Sequence, residues 1–319
     1  MPPVLVKFNM RKSVIILINK NAGTVLELGE ERFAQMIAAL FEEKGETAVV
    51  ELIGAEDLIF AFQRAAERED IGVILLAGGD GTVNAVLPSL VRSKVPTGVL
   101  ALGTLNLIGR DLGATGELAH DIASILKGTP QDVDLVRVNG IPFHSNAGLG
   151  WFVTIARERQ SARRKFPFSK MLGFFWATFQ TLVFSRSFEV ECTTEDGVFS
   201  VKADAVLVTN NRFSGSPWRR PRLDEGIFEL HVIKAPSIFS RLKTLMAVKR
   251  GTWRELANVR SVTATKAVVH TKRRKLGHVA LDGELRRVYF PLHFEAWPAA
   301  VSLIMLPSVQ EAVVDRRDT

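Results

Sequence analysis

Cysteine is nearly absent: the 319-residue chain has one, Cys192. That excludes an internal disulfide framework and a cysteine-only metal cluster, and it suits a reducing compartment. Long hydrophobic runs are missing too. The longest candidate, Met171–Phe184, is broken by Thr178, Gln180 and Thr181, short of the roughly 18–20 uninterrupted apolar residues that span a bilayer. The apolar run Val14–Ile18 is short and leads straight into Asn19-Lys20-Asn21, which does not read as a signal peptide. Two common nucleotide fingerprints are also absent. There is no Gly-x-x-x-x-Gly-Lys-Ser/Thr run, and no helix-opening Gly-x-Gly-x-x-Gly with an acidic ribose ligand downstream. A soluble cytoplasmic protein is expected, neither a P-loop enzyme nor a dinucleotide Rossmann protein.

What is present is globular in composition: 47% hydrophobic and 24% charged residues, far from the signature of disorder. The length points to two domains or one large one. Forty-one basic residues against thirty-four acidic give a net charge of +7, so an anionic partner is expected: a nucleotide, a nucleic acid or an anionic leaflet. The excess is concentrated. Between Trp151 and Val190 stand Arg157, Arg159, Arg163, Arg164, Lys165, Lys170 and Arg186 against only Glu158 and Glu189, and a second cluster is Lys272-Arg273-Arg274-Lys275. None of this is organised into a recognisable nucleic-acid motif, so no nucleic acid is expected, and no obligate protein partner is inferred.

The first third alternates strand and helix signals. Val14–Ile18 reads as a buried parallel strand. Apolar spacing predicts a helix over Glu31–Lys44, a strand over Ala48–Ile53 and a helix over Leu58–Glu67. A strand is predicted at Gly72–Leu76, then a helix through about Val91, then a strand at Thr97–Leu102. Repeated strand–helix–strand means an open parallel sheet with ligands beyond the carboxyl ends of its strands. From about Val133 the pattern changes to short β-type runs separated by turns, at Asp134–Val138, Phe188–Thr193, Ala205–Val208, Phe228–Ile233, Val262–His270, His278–Leu281 and Arg287–Phe290. Two helices, around Lys170–Phe184 and Ile238–Lys249, are interposed. The expected architecture is therefore α/β: an N-terminal parallel α/β nucleotide-binding domain (1–132), a mainly antiparallel β-rich domain (133–290), and a C-terminal segment (291–319) ending in a loose tail.

The chemistry-bearing residues sit in the turns. Gly78-Gly79-Asp80-Gly81-Thr82 lies where a buried strand becomes a helix, and glycines there let backbone N–H groups and a helix N-terminus approach an anion. Asp80 would repel a phosphate, so its use is to hold Mg²⁺ or take a proton; the competing reading is a tight turn with Asp80 as helix cap. Leu102-Gly103-Thr104-Leu105-Asn106 repeats the geometry after the next strand, and taken alone is equally a capped helix start. Asn19-Lys20-Asn21-Ala22-Gly23 is a third polar loop at that edge. Leu281-Asp282-Gly283-Glu284 places two carboxylates around a glycine between strands, either a plain hairpin turn or a catalytic one. Phosphoryl transfer to a hydroxyl asks for nucleotide positioning, a divalent cation and one carboxylate to orient the acceptor.

Taken in order, Asn-x-x-x-Gly, Gly-Gly-Asp-Gly-Thr-Val-Asn, Gly-Thr-Leu-Asn with Arg110-Asp111-Leu112-Gly113, and a late Leu-Asp-Gly-Glu resemble the diacylglycerol kinase catalytic-domain family, which includes bacterial lipid kinases and sphingosine and ceramide kinases. The resemblance runs from about Ser13 to Leu306. It takes in Asn139-Gly140 with Phe143 and Asn146, Asn210-Asn211-Arg212-Phe213, and Leu223-Asp224-Glu225-Gly226. It implies a C-terminal segment that returns to the first domain, and an ATP- and Mg²⁺-dependent kinase acting on a lipid hydroxyl. Asn19, Gly23, Gly78, Gly79, Gly81, Thr82, Asn84, Gly103, Thr104 and Asn106 would surround the nucleotide. Asp80 would stand beside phosphates and metal, and Asp282 and Glu284 would supply the general base or a metal ligand, the roles not apportioned. Asp224 and Glu225 would belong to a second, structural metal turn. Three departures stand out: Lys20 where the family commonly has proline, Leu107 after Asn106 where a polar residue is common, and Glu225 where aspartate is usual.

A lipid acceptor implies a membrane surface. Arg163, Arg164 and Lys165 beside Phe166 and Phe168 suit an anionic headgroup boundary, as does peripheral attachment of a cytoplasmic enzyme; an ordinary amphipathic helix covering the β domain is the plainer reading. A soluble-substrate kinase of the NAD kinase type shares Gly-Gly-Asp-Gly but not the other motifs, and a non-catalytic nucleotide-binding module rests on charge alone.

Overall fold

The computed structural model describes residues 13–165, 187–213, 219–272 and 275–307. The chain divides into two compact units, residues 1–133 with 299–319, and residues 134–298.

The first unit is a parallel α/β layer. Its elements run β1 (Ser13–Asn19), α1 (Gly23–Leu28), α2 (Glu30–Glu42), β2 (Ala48–Ile53), α3 (Leu58–Glu67), β3 (Ile71–Gly78), α4 (Asp80–Leu90), β4 (Thr97–Ala101), α5 (Leu107–Asp111) and α6 (Leu118–Ile125). The strands stand in the order β2-β1-β3-β4. Registers are parallel throughout, with Val14 opposite Ala48, Ile16 opposite Leu75 and Leu76 opposite Val99. β1 and β3 bury four and six consecutive residues because helices cover the sheet, which removes the alternation a one-sided sheet would show. On α2, Phe33, Ile37 and Phe41 recur every fourth residue and are fully buried against Ile16, Ile18 and Leu75. Each such side chain contributes on the order of 1.5–3 kcal/mol of burial. All three strands β1, β3 and β4 point the same way, so the loops that follow them open at one edge.

The second unit is an antiparallel β sandwich. It comprises the second half of β5 (Thr129–Val138), β6 (Ile141–Phe143), β7 (Asn146–Gly150), α7 (Trp151–Lys165), β8 (Phe188–Thr194), β9 (Gly197–Ala203), β10 (Ala205–Asn210), β11 (Phe228–Ile233), α8 (Ile238–Arg250), β12 (Val259–Ala264), β13 (Lys266–Thr271), β14 (Leu276–Leu281), β15 (Glu284–Tyr289) and the first half of β16 (Leu292–Met305). One sheet has the order β12-β11-β10-β7-β14-β15; in the other, β13 lies between β16 and β8, and β8 pairs with β9. Val190, Cys192, Val206, Val208, Phe228, Leu230, Val279 and Phe294 fill the space between. Burial there pushes the Cys192 thiol up to about 12, so the one cysteine is a packing residue.

Several sequence expectations need correcting. The run expected as one strand over Val262–His270 is two, because the chain changes sheets at Thr265. β12 pairs with β11, whereas β13 pairs with β16 and β8. The crossing is held by the Glu195 carboxylate, which accepts from Thr265 N (3.1 Å), Lys266 N (3.0 Å) and the Thr265 hydroxyl. The hydroxyl bond comes first among the causes that hold this carboxyl below its ordinary range. The polar loop expected to run through Gly23 instead starts α1 there. The helix expected at Lys170–Phe184 lies outside the described residues.

Candidate functional site

In the first unit the three strand-end loops are tied together by their own side chains. β3 ends on Gly78, Gly79 is the extended cap residue, and Asp80 is the first residue of α4; no side chain caps this helix. The competing reading of Asp80 as helix cap is thereby removed, since Gly79 holds the cap position. Gly78 is required: a Cβ there would lie 2.2 Å from Thr82 Oγ1. Thr82 Oγ1 in turn accepts a 2.9 Å hydrogen bond from Asn19 Nδ2, joining the β1 loop to the β3 loop, and Asn19 Oδ1 accepts from Asn21 N.

The β4 loop closes on itself. Asn106 sits in the left-handed region at φ 49; its Oδ1 accepts from Gly103 N and its Nδ2 donates to Gly103 O, both at 2.8 Å. Asn106 is thus a loop clamp, not a side-chain cap of α5. A Cβ on Gly103 would lie 2.7 Å from the Gly79 Cα, so the two glycine loops lie backbone to backbone. Asp80 Oδ1 completes the joint at 3.4 Å from the amide of Ile108. Gly103, Thr104 and Leu105 are exposed. Gly23 has no atom within 4 Å of where a side chain would start, so packing does not demand it.

This arrangement fits a nucleotide polyphosphate. Two side-chain-free loop segments meet at the positive end of the α4 dipole. One turn into that helix, Asn84 Oδ1 is buried with no hydrogen-bond partner among the described residues, an acceptor that a phosphate oxygen cannot satisfy but a nucleotide amino or hydroxyl group can. The Asp80 carboxylate at the same edge fits a phosphate only with a divalent cation between them.

In the second unit Asp282 and Gly283, at φ 47 and 84, form the two-residue turn between β14 and β15, the geometry that Asp-Gly favours in hairpins. The Asp282 side chain is only 2% exposed. Its oxygens accept from three successive backbone amides, His144 (2.9 Å), Ser145 (2.8 Å) and Asn146 (2.9 Å), while its own amide donates to Asn146 O. His144 Nε2 stands 3.6 Å away, and the His144 carbonyl accepts from Asn210 Nδ2 (2.9 Å) and Arg220 Nη1. Glu284 differs in kind: 44% exposed, 3.0 Å from Arg286. The two carboxylates that the sequence pairs across a glycine therefore divide. Asp282 organises the β6–β7 loop, and Glu284 is the accessible oxygen donor.

At the Leu223–Ile227 turn, buried Asp134 accepts from Gly226 N at 2.6 Å and its amide donates to Leu223 O. Glu225 accepts from Arg212 N (2.8 Å) and pairs with its guanidinium; Asp224 pairs with Arg222 at 3.0 Å. The Asp224 bond holds the Arg222 guanidinium above its ordinary value. Among the described residues no three His, Cys, Asp or Glu side chains come together as a metal set; at this turn each carboxylate is paired with an arginine. The side chains of Arg163, Arg164 and Lys165, and all of Phe166 and Phe168, lie outside the described residues. Among the described residues no helix is long and apolar enough to cross a membrane.

Sequence reasoning missed the amides of His144 and Ser145, because main-chain donors carry no signature and stand 137 to 138 residues before their acceptor. It also missed the Ile108 amide and the buried Asp134.

These features define a class: an α/β unit whose strand-end loops suit a polyphosphate, carried in one chain with an antiparallel β sandwich. The family is read from direct comparison. Residues 13–138 match the model of the diacylglycerol kinase catalytic domain and residues 152–305 that of the YegS C-terminal NAD kinase beta sandwich-like domain; the chain belongs to the diacylglycerol kinase catalytic-domain family. It is similar to a diacylglycerol kinase of Bacillus subtilis (strain 168), 28% identical over 80% of this chain and 84% of that one. A diacylglycerol kinase of Staphylococcus epidermidis is 25% identical over 76% and 77%. In fold it is similar to a crystal structure of a diacylglycerol kinase from Bacillus anthracis str. Sterne, with a TM-score of 0.69 at 17% identity over 93% of this chain and 98% of the other.

Proposed function

We propose that the protein is an ATP- and Mg²⁺-dependent lipid kinase that transfers the γ-phosphoryl group to a hydroxyl of a diacylglycerol-like or sphingoid lipid, working at the cytoplasmic face of an anionic membrane. The observation that carries the reading is the joined glycine loops, in which Gly79 and Gly103 meet at the head of α4 beside Asp80. Gly78, Gly79, Gly81, Thr82, Gly103 and Thr104 line the nucleotide phosphates, and Asn19 and Asn106 fix the loops by the bonds they make to Thr82 and Gly103. Asn84 offers its buried acceptor to the nucleotide. The cation, when bound, neutralises charge that develops on the transferring phosphoryl group. Asp80 would hold a cation at the glycine loops. Glu284 would receive the proton of the acceptor hydroxyl or act as a metal ligand, and Asp282 keeps the β6–β7 loop in shape. Arg163, Arg164 and Lys165, with Phe166 and Phe168, contact the headgroup region.

The test is transfer of radiolabel from γ-labelled ATP to a panel of dispersed lipids and to NAD, with and without Mg²⁺. Labelled lipid, lost in Asp80→Ala, is the expected result. Label on NAD and on no lipid would replace this reading with a soluble-substrate kinase. Activity unchanged in Asp80→Ala would remove the site assignment.

A further inference from the structure

Helix α8 is capped at both ends. Ser237 and Ser240 form a reciprocal capping box at its start, and Gly251, in the left-handed region, ends it. It is anchored from below: Arg241 Nε donates to Ala235 O, and its Nη2 lies 3.4 Å from Asp204, a carboxylate that is 1% exposed and also accepts from Ala235 N and Ser187 Oγ. Thr244, Ala247 and Val248 face the protein and are buried. The opposite face carries Ile238 (57% exposed), Phe239 (85%), Leu242 (46%) and Met246 (41%). Positions 238, 242 and 246 recur every fourth residue and Phe239 lies beside them, so they form one stripe on a helix. Lys243, Lys249 and Arg250 are exposed alongside, with Lys234 just before the helix. From Lys234 to Arg254 the sequence has no acidic residue.

We propose that this face of α8 is a membrane-docking surface that lies in the plane of an anionic leaflet, with the apolar stripe among the acyl-chain ends of the headgroups and the lysines and Arg250 on the phosphates. Charge complementarity selects the occupant. An apolar stripe bordered only by cations, over a span without one carboxylate, matches a negatively charged lipid surface, whereas a self-complementary contact between two copies would set these cations against each other. Thirteen residues give a helix of about 20 Å at 1.5 Å per residue, enough to lie on a bilayer and too short to cross it. The rigid anchoring by Arg241 and Asp204 means the stripe is presented without an ordering step. This inference takes its biological sense from the lipid-kinase reading, but vesicle binding is measured without turnover, so the two fail separately.

The experiment is co-sedimentation of the full chain with vesicles of phosphatidylcholine alone or mixed with phosphatidylglycerol, alongside sedimentation velocity without vesicles and thermal melts. Wild type should bind the mixed vesicles and only weakly the zwitterionic ones. Phe239→Ser with Leu242→Ser should lose at least about tenfold in binding with an unchanged melt. Lys243→Ser with Lys249→Ser should lose about tenfold, an effect that shrinks as salt rises. Wild type that ignores anionic vesicles, or either double variant binding like wild type, would overturn the proposal. So would a wild-type dimer in vesicle-free buffer that Phe239→Ser with Leu242→Ser converts to monomer, since the stripe would then be covered by a second copy.

Discussion

Replacing Asp282 by alanine should unfold the β sandwich more readily, which separates this residue from Glu284. The carboxylate is almost wholly buried and takes hydrogen bonds from the amides of His144, Ser145 and Asn146. Truncation strands three donors. Each buried donor without an acceptor costs about 1–3 kcal/mol, and some relaxation of the short β6–β7 loop lowers the sum, so about 3–5 kcal/mol is expected. For a unit of this size that is a fall in Tm of about 6–20 °C. Asp282→Asn keeps one acceptor oxygen and should fall between. Glu284→Gln removes only an exposed pair with Arg286, worth about 0–1 kcal/mol, and should melt like wild type while its phosphoryl transfer drops at least about a hundredfold. Melts of the three variants beside their turnover provide the assay. An Asp282→Ala protein with the wild-type melting curve would refute the assignment of this carboxylate as the organiser of the loop.

Two further predictions concern the glycine loops and a buried histidine. In Gly103→Ala the new Cβ, 2.7 Å from Gly79 Cα against the 3.4 Å of an ordinary contact, forces the loops apart; KM for ATP should rise about 10–100-fold, whereas Gly23→Ala, with open space around it, should leave the melt unchanged. An unaltered ATP KM in Gly103→Ala would contradict the cradle. Burial, and secondarily Arg254, push His231 down to about 3 from 6.5. The unfolded chain then takes up a proton that the folded one refuses. The stability this histidine permits is full above pH 6.5 and is lost as pH falls from there toward 3, by about 1.4 kcal/mol per unit. His231→Gln should flatten denaturant-derived stability between pH 7 and 5; an unchanged slope would contradict the assignment.

Much of the first unit is legible in the sequence because its signals are local. β1 and β3 are continuous apolar runs, α2 repeats its apolar residues every fourth position, and the glycines fall where strands end. The sandwich is less legible. β7 reads Asn-Ala-Gly-Leu-Gly, poor in β-formers, yet it pairs on both sides, with β10 and β14; Gly148 is needed because a Cβ would meet Phe152 at 2.3 Å, a constraint set by tertiary packing. The break at Thr265 is invisible because Val262–His270 is apolar on both sides of it and its cause, Glu195, is seventy residues earlier. In the candidate site the acids and glycines announce themselves, whereas the difference between Asp282 and Glu284 depends on which of them meets the amides of a distant loop.

The central claim of the proposed function is that the joined glycine loops of the first unit hold ATP for phosphoryl transfer, with Asp80 at their junction. Single-turnover transfer from labelled ATP to a dispersed diacylglycerol, compared for wild type, Asp80→Asn and Gly103→Ala, tests it most directly. The account predicts a large loss of transfer in each variant. Wild-type transfer in either variant would contradict it.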